Sequence, residues 1–311
     1  ALTGLTAFSL PAECDYLWQD GAGGAVYDKL TKSKLLYYPV CSAAEAYTVL
    51  ESTKSIGQYA FFENRSLKSV VLPEGLETIG QYAFGVSSTT STTALESITI
   101  PSTVTTIGMS AFYGADNLKE VTFAKRPDGS CALTKIENMA FRECTALEEI
   151  VIPDSVTTLG ITTEVNFQDD PNYSASVFYG CTSLRSVTLP NGVADLQSQT
   201  FGGCTALKTV IINDGSTLQR IAPYAFVNCG LTVVDLSNAD SLVIIDEYSF
   251  YMSPVEEIVF GTVNEISIGN YAFYGAKLTE LVLPSNIIAI GDYAFGNVST
   301  LTSVSLAQDS R

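Results

Sequence analysis

The apolar residues of this chain recur in a fixed internal order over a long period. Reading from Leu67, they fall at Val70, Leu72, Leu76 and Ile79 and close on the pair Ala83-Phe84. Leu95, Ile98, Ile100, Val104, Ile107 and Ala111-Phe112 repeat those offsets, and so do Leu278, Leu281, Leu283, Ile287, Ile290 and Ala294-Phe295. Aligning on the phenylalanine gives ten anchors, Phe61, Phe84, Phe112, Phe141, Phe178, Phe201, Phe226, Phe250, Phe273 and Phe295, and the commonest spacing is 23 residues. A period of that length marks a solenoid built from stacked supersecondary units.

Within a unit, Val70 and Leu72 point one way and Ser69 and Val71 the other, which predicts a short strand with one face in the core. Pro73, Pro101, Pro153, Pro190 and Pro284 follow the strand at the same offset, where a missing N–H stops the ladder. Asn213, Ser237 and Gly261 stand there in three other units. The chain is then expected to cross the core edge through Leu76 and Ile79, turn near a glycine (Gly57, Gly80, Gly108, Gly160, Gly269 or Gly291) and return along a convex side anchored by the Ala-Phe pair. One such unit is too small to fold alone, and stacking lets each bury its flanks against two neighbours. The predicted architecture is a leucine-rich-repeat solenoid, a β-rich, right-handed superhelix. Short parallel strands line its concave face, and irregular, 3-10 or turn segments its convex face.

Two parts follow from this pattern: residues 1–46 as a partial repeat with a capping hairpin, and residues 47–311 as one continuous solenoid of about ten units. Extra chain relative to a 23-residue unit lies at 86–94, 125–131 and 161–176.

Cys144, Cys181, Cys204 and Cys229 each lie three residues after an anchor phenylalanine, a place filled elsewhere by Asn64, Ala115, Ser253 and Ala276. A column of small buried thiols accounts for this. A zinc cluster would need converging C-x-x-C pairs, and the chain has no histidine to complete one.

Composition narrows the function classes. The formal charge of −17, with Lys and Arg nowhere concentrated, repels phosphate backbones and anionic lipid. Nucleic acid is therefore not an expected partner, and no apolar run is long enough for this segment to insert into a membrane. The chain opens at Ala1 without a basic stretch followed by an apolar one, so this end does not reveal the compartment. Without histidine, Ser-His-Asp triads, Cys-His pairs and His-liganded metals are unavailable. Neither a phosphate-binding G-x-x-x-x-G-K-[ST] nor a G-x-G-x-x-G after a strand occurs. Catalytic residues, cofactor and metal are accordingly expected to be absent, and a glycosidase using two carboxylates is the enzymatic alternative that survives.

The run L-x-x-V-x-L/I-P followed by I-G-x-x-A-F-x-x-C resembles the BspA-like leucine-rich-repeat family of surface proteins, over 47–306. Upstream, Gly24-Ala-Val-Tyr27 and Leu35-Leu-Tyr-Tyr38-Pro39 are similar to the segment that often opens such arrays. The resemblance implies an exported or cell-surface protein that adheres to a protein or glycan on a host or neighbouring cell. A structural spacer within a larger surface protein is the alternative.

Two candidate sites follow. On the concave face, the outward columns hold Glu120, Glu149, Val151, Thr188, Ile211, Glu257, Val259, Glu280 and Val282, although β-branched residues suit any strand. In the longest insertion, Phe167, Asp169, Asp170, Asn172 and Tyr173 could form a binding loop or an oxygen-ligand calcium site, or simply a solvated loop. Tyr59, Tyr82, Tyr224, Tyr248, Tyr271 and Tyr293, each just before its phenylalanine, suggest either convex-side packing or a carbohydrate-stacking ladder.

Overall fold

The computed structural model describes residues 9–11, 14–21, 24–88, 91–160 and 175–307. The chain winds as a β-solenoid in which each coil contributes one strand to each of two files. Eleven strands form the first file: Ala46–Thr48, Ser69–Val71, Ser97–Ile100, Glu120–Phe123, Glu149–Val151, Ser186–Thr188, Thr209–Ile211, Val233–Asp235, Glu257–Val259, Glu280–Leu283 and Ser303–Leu306. Wherever these strands form ladders they are parallel, and the register pairs equal repeat positions, such as Tyr47 with Val70 and Ile98 with Val121. The predicted alternation holds: Ile98 and Ile100 are buried while Ser97 and Thr99 face solvent.

The second file departs from the sequence reading. Where the chain was expected to cross the core edge without regular structure, two-residue strands such as Ser55–Ile56, Thr78–Ile79, Thr106–Ile107 and Lys135–Ile136 pair in parallel along the stack. The glycine after this strand does not make a left-handed turn in most coils. A β-carbon on Gly80 would lie 2.8 Å from the Ile56 carbonyl oxygen, and one on Gly108 2.9 Å from that of Ile79. The residue is small because successive coils approach closely there, and its N–H donates to that same carbonyl.

The third side is made of turns, with no helix of either kind among the described residues. Nine anchor phenylalanines, Phe61 to Phe273, donate their N–H to a carbonyl of the next coil at 2.7–2.9 Å. Residues two places before and after the phenylalanine take left-handed φ, as at Tyr59 and Glu63 (59° and 54°) or Tyr248 and Met252 (55° and 57°). Inside this wall the ten phenylalanine rings stack in one file, with neighbouring centroids 4.8–5.5 Å apart and planes within 10° of parallel. One continuous core therefore runs the length of the stack.

The buried thiols have a further role. Cys144, Cys181, Cys204 and Cys229 each donate an S–H to the carbonyl of the phenylalanine one coil back, at 2.9–3.3 Å, and Ser253 Oγ does the same to Phe226 at 2.7 Å. Burial pushes all four thiols up, Cys181 to about 12, so they remain protonated donors. At the N-terminal end, Leu17–Gln19, Val26–Asp28 and Lys34–Tyr37 form antiparallel hairpins that continue into the second file. There Tyr27 and Tyr47 share a buried 2.8 Å hydroxyl contact, and Tyr47 donates to Asp20 at 3.0 Å.

Candidate functional site

The outer face of the first file carries the columns expected from the sequence. Glu120, Glu149, Glu257 and Glu280 are exposed, Thr188 and Val259 are half-buried, and Val151, Ile211 and Val282 leave 66, 42 and 51% of their surface to solvent. The fold thus brings these nine residues onto one face, strand beside strand. Phe167, Asp169, Asp170, Asn172 and Tyr173 lie outside the described residues.

The same outward columns hold Val71, Val233 and Asp235. Val71 and Val233 are 57 and 42% exposed and extend the apolar rows, while Asp235 adds a carboxylate. Their offsets match those of the nine, so the column alignment already contained the signal. One step before each of the first six strands, charges of opposite sign alternate between coils, and Glu45–Lys68, Glu96–Lys119 and Glu148–Arg185 pair at 2.8, 3.4 and 3.4 Å. Exposed pairs of this kind favour register more than they add stability.

From Ser186–Thr188 to Ser303–Leu306 the outward columns contain Asp235, Glu257 and Glu280 and no basic side chain. The outward columns of this half set carboxylates among exposed aliphatic groups, with Arg185 and Lys208 at the strand entrances. The first-file ladder is interrupted in three places. Two of them fall between strands that set glutamates side by side, Glu120 next to Glu149 and Glu257 next to Glu280, where like charges oppose close pairing. The third lies between Thr209–Ile211 and Val233–Asp235. There the chain is one residue shorter, since Cys204 precedes Leu207 by three places and Cys229 precedes Leu231 by two.

On the turn side the tyrosines form their own files. Tyr224, Tyr248, Tyr271 and Tyr293 stack at 4.9–5.1 Å, and Tyr251 stacks on Tyr274 at 5.2 Å. Each interior ring has both faces covered by its neighbours, so it offers an edge and a hydroxyl to solvent, and no free face on which a sugar could stack.

No group of three or more Cys, Asp and Glu side chains among the described residues is placed to hold a metal ion. Among the described residues, the carboxyl groups that leave the ordinary range move down: at Asp28 desolvation is outweighed by hydrogen bonds from Thr31 and Lys34, and hydroxyls of Ser87 and Ser130 hold Glu63 and Asp128 low.

Two parallel files, a turn wall and a shared phenylalanine stack define a leucine-rich-repeat β-solenoid. The BspA type leucine rich repeat region model matches residues 33–163 and 172–302 in six copies, and the chain belongs to that family. Its fold is similar to that of a leucine-rich repeat protein from Eubacterium ventriosum, with 24% identity, a TM-score of 0.57, and coverage of 73% of this chain and 53% of the other. The chain therefore spans about half the length of that relative. The T. pallidum leucine-rich repeat protein matches at 23% identity and a TM-score of 0.51, over 71% of this chain and 89% of its own. A leucine-rich repeat protein from Bacteroides ovatus gives 18% and 0.51, over 96% and 90%. Comparison with curated proteins yields no match.

Proposed function

We infer that this chain is a non-catalytic binding module that works outside the cell or at its surface and recognises a protein ligand on the outer face of the first file. The observation that carries the reading is the unpartnered row of exposed aliphatic side chains, Val71, Val151, Ile211, Val233 and Val282, set among carboxylates on strands whose backbones are fixed by their neighbours. β-Branched residues suit any strand, but a ligand spanning several coils also gains from every one of these exposed side chains. The surface assignment rests on the family resemblance. A protein ligand is favoured over a glycan because the interior rings of the tyrosine file, Tyr248 and Tyr271, have both faces covered by other rings.

The test is a binding screen of the immobilised chain against extracellular matrix and secreted host proteins, beside a glycan array. Saturable binding of a protein is expected, weakened by the double variant Glu257→Lys with Glu280→Lys and unchanged by Tyr248→Phe. Binding of glycans alone, or protein binding indifferent to the charge reversal, would overturn the assignment.

A further inference from the structure

The interruption between Thr209–Ile211 and Val233–Asp235 is a bounded slot. At the strand entrances, Lys208 Nζ donates across it to the Gly230 carbonyl at 2.7 Å, and at the exits Asn238 Nδ2 donates back to the Ile212 carbonyl at 3.0 Å. Between these two straps no ladder joins the strands, although each is laddered on its far side, to Ser186–Thr188 and to Glu257–Val259 respectively. Alternate residues of a strand turn their backbone groups to opposite sides. The far-side ladders use Thr209 and Ile211 on one strand and Val234 on the other, which leaves the backbone groups of Val210, Val233 and Asp235 turned toward the slot.

Beneath the slot lies a small apolar recess lined by Val210, Ile212, Leu231 and Leu236 with Phe226 and Phe250 behind. Val210 is only half-buried, whereas its counterparts Val187 and Val234 in the flanking coils are 1 and 5% exposed. The lips are Ile211 and Val233, each 42% exposed, with the Asp235 carboxylate beside them and Glu257 and Glu280 in the outward columns of the same face. The slot lies where the chain first becomes one residue shorter, between Cys229 and Leu231, a shortening that Ser253 to Val255 and Ala276 to Leu278 share. Gly230 sits so close to the preceding coil that a β-carbon there would lie 2.2 Å from the Thr205 carbonyl oxygen.

We propose that the lips of this slot dock an extended, Lys- or Arg-bearing segment of a partner protein, one of whose aliphatic side chains packs on Ile211 and Val233. The exposed apolar lips take an aliphatic group, the Lys208 ammonium is engaged by the Gly230 carbonyl, and the carboxylates of Asp235, Glu257 and Glu280 select a basic flank. This rests on the reading of the face as a protein-binding surface and names the chemistry of its ligand.

The probe is a phage-displayed library of random twelve-residue peptides selected on the folded chain. Enriched peptides are expected to combine an aliphatic residue with Lys or Arg. Synthetic versions should bind the variants Val233→Lys and Glu257→Lys at least about tenfold more weakly, a loss typical of a buried anchor. Both substitutions lie on exposed side chains, and Val71→Lys, on the same face several coils away, should leave binding unchanged; melting curves of all variants establish that they fold. Peptides indifferent to Val233→Lys, or lost equally in Val71→Lys, would overturn the slot while leaving the broader reading intact, and absence of any enrichment would also overturn it. The protein screen above tests the broader reading separately. Amide exchange gives an independent check: Val210 and Asp235 should exchange faster than Val187, and equal protection would mean that the slot is closed.

Discussion

Truncating one ring of the phenylalanine file measures how far the coils share an interior. Phe201 is 0% exposed and lies between Phe178 at 5.4 Å and Phe226 at 5.5 Å. Phe201→Ala removes a fully buried ring whose cavity is walled by two neighbouring coils and cannot collapse, which costs about 3–5 kcal/mol. Phe295 is half-buried and stacks on Phe273 from one side at 5.4 Å. With one flank open, Phe295→Ala should cost roughly half as much. Urea denaturation followed by far-UV circular dichroism reads both, with the slope checked in each variant because long repeat arrays can lose two-state behaviour. Equal losses at the two sites, or a loss below about 1 kcal/mol at Phe201, would refute a core shared between successive coils.

Other consequences concern the thiols and the turn wall. Cys204→Ser keeps a second donor to the Phe178 carbonyl, which also accepts from the Cys181 N–H, and should cost less than Cys204→Ala, which loses that hydrogen bond at about 0.5–1.5 kcal/mol; the reverse order in denaturation midpoints would argue against the donor role. A thiol reagent at pH 8 should spare Cys144, Cys181, Cys204 and Cys229 in the native chain, since burial holds their ionisation well above that pH, and should reach them only after denaturation. Met252 holds a φ of 57° with 49% of its surface exposed, and Gly114, Gly180, Gly203 and Gly275 occupy the same offset in other coils. Met252→Gly should therefore raise stability by about 0.5–1 kcal/mol, and a lower melting temperature would contradict the strain.

The sequence carried the first file and the core because both repeat with large side chains at constant offsets: Val70-x-Leu72 announces a half-buried strand, and the phenylalanines align at every unit. The second file is hard to read from sequence because most of its strands, such as Thr78–Ile79, are two residues long, below the length at which alternation is visible. The recurring β-branched pair before the glycine, Thr78-Ile79 and Thr106-Ile107, is the signal that could have revealed it. Left-handed positions beside the phenylalanine were hidden because tyrosine, methionine and glutamate fill many of them where glycine would have marked the conformation. The outward columns of the candidate face were legible by alternation alone, but the slot was not. It lies where the step from the small residue to the leucine first shortens by one, between Cys229 and Leu231, a change that units counted from leucine to phenylalanine do not register.

The central claim is that each coil is bonded to the next along the phenylalanine wall, and amide hydrogen exchange tests it most directly. The N–H groups of Phe112, Phe141, Phe178, Phe201 and Phe226, each donated to a carbonyl of the following coil, should exchange only through unfolding of the stack and at closely similar rates. Rapid exchange at these amides while the chain remains folded would contradict the account.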